Sequence, residues 1–278
     1  MINVLFCGNS YVFDGVLTAT LSILKRSEYK GPYTFYIYTM DVSDLNPKYT
    51  PIEDKIIDFL NDIVIGYHYQ NRVVKVDVTD LYNKEFRGSP NEGCYCSPYT
   101  LLRLFADMVP NMPDKLIYLD VDILFNKDIR KLYDIDITDY EYAAARDHYG
   151  KFLIQPNYIN AGVLLFNLQK MKETKILEKA RNLIKTKKLV FADQSALIRS
   201  TTKKKMLSQR FNDQKFLYKK TVIRHFSKRL FWLPYPHTDN IKQWHLDKMY
   251  KVFKYHQFDD ILEEYVILKD IYGGKYNE

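Results

Sequence analysis

Residues 2–7, INVLFC, form a short apolar run that ends in Gly-Asn-Ser, the pattern of a strand running into a turn. Residues 14–27 then space their apolar side chains for a helix, finish on basic residues, and meet Gly31-Pro32. The run YTFYIYT predicts a second strand at 33–39. Residues 50–63 open on Thr-Pro and set Ile52, Ile56, Phe59, Leu60 and Ile63 on one face of a helix. RVVKVDV, at 72–78, alternates as a third strand. The order β-α-β-α-β predicts a Rossmann-like parallel sheet.

Further along, Ser97-Pro98 opens a helix predicted to run to 109, just before Pro110. Strands follow at 115–125, 142–147 and 159–168, and a charged amphipathic helix at 169–185. After residue 200 the periodicity loosens. No internal repeat or low-complexity linker divides the chain. A hydrophobic share of 46% over 278 residues is enough for the core of one large α/β domain.

Charge and cysteine content narrow the setting. Residues 200–278 hold 16 Lys and Arg against 9 Asp and Glu, whereas residues 1–199 hold 25 of each, so the excess of +7 lies entirely in the last third. No nucleic-acid motif accompanies that basic stretch, and no nucleic-acid partner is expected. Cys7, Cys94 and Cys96 form neither a disulfide framework nor a zinc site, since no second ligand pair follows Cys-Tyr-Cys. The start MINVLFCGNS has no basic leader, and no apolar run approaches the ~20 residues of a membrane span. A soluble, cytoplasmic protein with reduced thiols is expected.

The chemistry begins in IYLDVDILF, residues 117–125, where Asp120 and Asp122 interrupt an apolar strand. Residues i and i+2 of a strand point the same way, and two neighbouring carboxylates repel unless a cation lies between them. Hard divalent ions such as Mg²⁺ or Mn²⁺ take one or two carboxylates together with substrate phosphates. In α/β sheets ligands bind beyond the carboxyl ends of strands. With 24 Asp in the chain, chance alone supplies about two Asp-x-Asp triplets. The second, Asp134-Ile135-Asp136, lacks a preceding apolar strand; the run KLIYL sets the first apart.

The stretch 97–125 resembles the Asp-x-Asp region of glycosyltransferase family 8, which includes bacterial lipopolysaccharide galactosyl- and glucosyltransferases and glycogenin. The resemblance continues through AAARD (143–147), NYINAGVLLFNL (157–168), FADQSAL (191–197) and RHFSKRLFW (224–232). It implies a GT-A fold: a single Rossmann-like α/β domain over residues 1–232 with a mixed, mostly parallel sheet flanked by helices. Residues 233–278 would form a basic, aromatic extension, packed on that domain or resting on the inner face of a membrane.

By that resemblance Asp120, Asp122 and His225 would bind Mn²⁺ or Mg²⁺ against the diphosphate of a UDP-hexose. Arg103 and Lys228 would approach the donor, as would Cys7, Asn9, Val121, Ala161 and Gly162, with Asp147 and Asn160 reading the sugar hydroxyls. Asp193 and Gln194 would face the reacting carbon. Taken singly, His225 reads as a core histidine, Arg103 as an i,i+4 partner of Asp107, and Asp193 as a helix N-cap. The family retains anomeric configuration. An amide at Gln194 is a poor nucleophile, so the resemblance implies front-face substitution, with a glycan or glycolipid hydroxyl as acceptor. Galactose, glucose and N-acetylglucosamine all satisfy this pattern.

Two segments depart from the family. Gly8-Asn9-Ser10 replaces the acidic residues that often grip uracil and ribose, leaving Asn9 for the base edge. After His225 the usual Gly and Lys-Pro-Trp are missing from HFSKRLFW, where Lys228, Arg229 and Trp232 stand instead. These departures keep a second reading open, a non-catalytic nucleotide-sugar or glycan-binding protein.

Overall fold

The computed structural model describes residues 1–93, 97–231 and 235–276; Cys94, Cys96 and Trp232 lie outside them. Strands β1 (Ile2–Cys7), β2 (Tyr33–Thr39), β3 (Arg72–Asp77) and β4 (Lys115–Leu119) fall where the apolar runs placed them. β5 (Ile123–Phe125), β6 (Tyr142–Arg146), β7 (Ile159–Asn167), β8 (Lys204–Leu207) and β9 (Ile223–His225) follow. Among the described residues seven of these form one sheet, in the order β3-β2-β1-β4-β7-β6-β8. Every neighbouring pair is parallel except those made by β7, which runs antiparallel to β4 and β6. The sheet is therefore mixed and mostly parallel, as expected.

Alternation along β1 builds two cores. Ile2, Val4 and Phe6 enter one with helices Phe13–Arg26 and Asp54–Tyr67. Leu5 and Cys7 enter the other with helices Ile176–Thr186 and Ala192–Ser200. Both faces are covered, which is why the central strands read as continuous apolar runs.

Four elements differ from the sequence pattern. The helix expected at 50–63 is Asp54–Tyr67. Thr50 and Ile52 are held extended instead, with the Thr50 carbonyl accepting from Tyr99 Oη at 2.7 Å and Ile52 N donating to Thr39 Oγ1 at 2.8 Å. The helix expected at 97–109 is a 3-10 segment, Pro98–Phe105, buried almost all round, so packing rather than one apolar face sets its pitch. The helix expected at 169–185 breaks into Leu168–Thr174 and Ile176–Thr186, with Lys175 left-handed at φ 55°. The strand expected at 115–125 ends at Leu119, bends through Asp120–Asp122, and resumes as β5, which pairs with β9 in a separate two-stranded sheet.

The last third packs onto the first core. Phe258, Ile261, Leu262 and Tyr265 are buried there, the latter three on helix Asp259–Tyr276. That helix is tied to helix Phe13–Arg26 by Lys25–Glu264 at 2.5 Å, Arg26–Asp260 at 2.6 Å and Lys269–Asp14 at 2.8 Å. Met249 is buried as well, and Tyr250, Phe253 and Tyr255 pack against the same core. No helix among the described residues is long and apolar enough to cross a membrane.

Candidate active site

The bend after β4 turns both aspartates toward the end of β9. His225 Nε2 lies 3.1 Å from Asp122 Oδ1 and 3.9 Å from Asp120 Oδ2. One ligand atom from each of the three residues falls within 4.8 Å of the others. The pair thus acts together through a bend and a sheet switch, not through strand alternation. His225 Nδ1 faces Asn212 Oδ1 at 2.9 Å. A proton on Nδ1 donated to that carbonyl leaves the Nε2 lone pair aimed at the carboxylates, the tautomer a metal ligand needs. Two carboxylate oxygens and one imidazole nitrogen suit a divalent cation such as Mn²⁺.

β7 supplies the floor. Its pairing with β6 shifts register between Ala144 and Arg146, a bulge that frees the backbone of Asn160, Ala161 and Gly162. Gly162 O accepts from Asp120 N at 2.7 Å, and Ala161 N donates to Gln194 Oε1 at 2.9 Å. A Cβ on Gly162 would stand 2.7 Å from Asp120 Oδ2 and 2.4 Å from the His225 ring, so only glycine fits between them. Asn160 Oδ1 accepts from Asn212 Nδ2 at 2.8 Å, and Asn160 Nδ2 donates to Asp147 Oδ2 at 3.0 Å. A continuous chain of hydrogen bonds therefore runs from His225 through Asn212 and Asn160 to Asp147.

Arg103 is almost wholly buried and held from several sides. Its guanidinium lies 3.1 Å from Asp120 Oδ1 and 3.3 Å from Asp193 Oδ2, and donates to Ala161 O at 2.5 Å. It also stacks over the Tyr118 ring at 3.9 Å, while Tyr118 Oη donates to Asp120 at 2.7 Å. Burial works against the charge, but Tyr118, Asp193 and Asp120 outweigh it and raise its pKa further. Burial pushes the Asp193 carboxyl up, an effect only partly offset by Arg103. The i,i+4 partner offered by sequence, Asp107, is taken by Arg181 at 2.5 Å instead. Asp193 is the second residue of its helix, after Phe191 at the N-cap, and pairs with Arg103 rather than capping.

Other candidates sit differently. Asn9 spends both ends of its carboxamide inside the protein, accepting from Tyr11 N at 3.2 Å and donating to Lys48 O at 2.9 Å. Cys7 is buried, and burial raises its thiol pKa strongly. Val121 forms the bend itself, and its carbonyl accepts from Gln243 Nε2 at 2.9 Å. Lys228 lines a cavity shared with Asp147, Asn160 and Gln194. Arg229 stacks over Phe231 at 5.2 Å, away from the carboxylates.

The residue that sequence reasoning missed on the carboxylates is Lys242. Its ammonium bonds Asp122 Oδ2 and, at 3.1 Å, the Phe226 carbonyl. Burial pushes the Asp122 carboxyl up, but Lys242 and His225 outweigh it and hold the group well below the usual carboxylate range. Gln243 is fully buried against Thr18, and Trp244 packs beside Gly15. Lys242-Gln243-Trp244 offers a lysine and a tryptophan at the spacing of Lys-Pro-Trp, further along the chain and after the hairpin strands β10 (Arg229–Phe231) and β11 (His237–Asp239). The signal was legible as Lys-x-Trp, but it stands well beyond the usual distance from the histidine. Asn212 carried no sequence signal at all.

A mostly parallel sheet whose bent Asp-x-Asp segment faces a histidine from a neighbouring strand is the architecture of a GT-A glycosyltransferase. Residues 3–246 match glycosyl transferase family 8, and the chain belongs to that family. A putative glycosyltransferase of Haemophilus influenzae is 29% identical over 238 residues, covering 80% of this chain and 67% of that protein. Glycosyltransferase GlyA of Streptococcus pneumoniae is 40% identical over 90 residues, which are 31% of this chain but only 13% of that protein. The solved galactosyltransferase LgtC, in complex with donor and acceptor sugar analogues, shares the fold at a TM-score of 0.65 and 16% identity, covering 95% of this chain and 96% of that one.

Proposed function

We propose that the protein is a metal-dependent, retaining glycosyltransferase that moves a hexose from a UDP-sugar to a hydroxyl of a glycan or glycolipid. The convergence of Asp120, Asp122 and His225 beside the Asp147–Asn160 pair carries this reading. The three ligands would hold Mn²⁺ or Mg²⁺, whose positive charge would offset that of a diphosphate. Arg103, fixed by Asp120 and Asp193, sets the position of those carboxylates and of the Ala161 carbonyl. Lys242, now on Asp122, would turn to a phosphate oxygen once Asp122 is shared. Asp147 and Asn160 would orient the hexose through its hydroxyls.

In the transfer step the acceptor oxygen bonds to the anomeric carbon while the bond from that carbon to the β-phosphate oxygen breaks. The electron pair leaves with UDP. The hydroxyl proton passes to the departing phosphate oxygen on the same face, so configuration is retained. The Gln194 carboxamide would stabilise the oxocarbenium-like centre or position the acceptor, since an amide is a poor nucleophile for a double displacement.

Calorimetric titration with UDP tests the reading. Micromolar binding in Mn²⁺ is expected to disappear in EDTA and in Asp122→Asn. Binding that survives EDTA undiminished would overturn the metal site. UDP binding without hydrolysis or transfer of any UDP-hexose would favour the non-catalytic reading.

A further inference from the structure

Beyond the sugar site, a cavity of about 1120 Å³ opens from Asp147, Asn160 and Gln194 and runs away from the carboxylates, none of which lines it except Asp147. That exceeds the ~300–1,000 Å³ of ordinary ligand pockets. Apolar side chains stand at its mouth, with Leu153 81% and Val190 82% exposed. Ile198 and Met206 form walls further along.

The ionic lining is one-sided. Arg199, Lys203, Lys204 and Lys228 line the cavity against Asp147 alone, and Asp147 already accepts from Tyr149 N, Gly150 N and Asn160. Lys228 is the one expected beside the donor. Asp120, Asp122 and His225 do not line this cavity, so on the donor reading above the other three would have no diphosphate to serve. Arg199 and Lys204 make no ion pair or hydrogen bond through their side chains among the described residues. Glu141, whose charge acts on Lys204, is already filled by Thr201, Thr202 and the Lys203 amide. Lys204 is half-buried, and that burial lowers its pKa, only partly countered by Glu141. Lys204 pairs with Tyr142 in register, five residues before Asp147, or roughly 16 Å along the strand. Arg199 stands five residues after Gln194, roughly 8 Å along its helix.

We propose that this cavity is an acceptor site selective for anionic saccharides, in which Arg199 and Lys204 bind a phosphate or carboxylate on the acceptor while its reacting hydroxyl lies at Asp147, Asn160 and Gln194. The assignment of that inner end rests on the glycosyltransferase reading above. The cations and the apolar walls do not depend on it.

The test titrates the full chain, in EDTA, with glucose 6-phosphate, glucuronate, methyl glucoside and inorganic phosphate, followed by NMR shifts of the protein. The sugar phosphate or glucuronate is expected to bind at least tenfold more tightly than the neutral glucoside and than phosphate alone. Whichever of the two binds tighter identifies the anionic group. The double variant Arg199→Gln/Lys204→Gln should lose at least tenfold for the charged sugars and nothing for the glucoside. Its Mn²⁺-dependent UDP binding should be unchanged. Equal affinity for charged and neutral sugars overturns the proposal, as does an unchanged double variant. Phosphate binding as tightly as the sugar phosphate shows an anion site without saccharide recognition and overturns it too. Failure of UDP to bind in Mn²⁺ is read separately and speaks against the donor site alone.

Discussion

Gly162 shows how much one side chain can decide. It sits where β7 passes between Asp120 and His225, and a methyl group there has nowhere to go but into both. The His225 ring cannot yield cheaply, because Asn212 grips Nδ1 and Asn212 is itself held by Asn160. Gly162→Ala is therefore expected to weaken Mn²⁺-dependent UDP binding at least tenfold, measured by calorimetry, while the thermal midpoint moves only a few degrees. Unchanged binding would mean that the cluster does not hold the metal. Arg103 teaches the complementary point. Its sequence neighbour Asp107 was the obvious partner at helical spacing, but the 3-10 pitch of Pro98–Phe105 and the packing around it send the guanidinium to Asp120 and Asp193.

Among the elements, β6 and β8 pair in register so that Lys204 lines the same cavity as Asp147, and Glu141 joins the two strands. It precedes β6 and is 1% exposed. Its carboxylate accepts from Thr201 Oγ1 at 2.5 Å, Thr202 Oγ1 at 2.8 Å, Thr202 N at 2.9 Å and Lys203 N at 3.1 Å. Burial raises the Glu141 pKa, but the hydrogen bonds from Thr201, Thr174, Lys203 and Thr202 outweigh it and leave the group below its ordinary value. A depressed pKa gives stability that is fully present above the unfolded value of about 4.3 and is lost as pH falls through the folded one. Glu141→Gln is expected to cost about 2 kcal/mol at pH 7 in urea unfolding. That difference should begin to shrink below about pH 4 and vanish as pH falls through the depressed folded value, where the wild-type carboxyl becomes neutral like the amide. A gap that stayed constant across this range would show that charge plays no part in the staple.

For the whole molecule, the basic and aromatic C-terminal stretch contributes to the same core as β1. Phe258, Ile261, Leu262 and Tyr265 are each at most 3% exposed. At about 1.5–3 kcal/mol per buried side chain, their loss approaches the entire 5–15 kcal/mol of a typical domain. A chain ending at Tyr255 is expected to show no cooperative thermal transition by circular dichroism. Melting within a few degrees of the full chain would show that the first core is stable without its last helix. Lys248, Lys251 and Lys254, by contrast, are exposed beside the packed aromatics, whereas Lys242 turns inward onto Asp122.

What the sequence determined by itself was whatever depends on neighbours in the chain. Apolar runs located β1, β2, β3, β6, β7 and the start of β4, whereas β8 lies after residue 200, where the periodicity loosens. The Asp-x-Asp triplet, Asn160-Ala161-Gly162 and His225 carried the family pattern without help from the fold. Boundaries failed where a distant partner intervened: Tyr99 and Thr39 held Thr50 and Ile52 out of a helix, and the sheet switch at Asp120–Asp122 cut one predicted strand in two. Tertiary structure alone brought Lys242 onto Asp122, 120 residues earlier, and put Asn212 behind His225. It also gathered Arg199 and Lys204 around one cavity. Periodicity records which face of an element is buried. Which polar groups meet is settled by closure between remote segments, where a buried charge must find whatever partner the packing brings within reach.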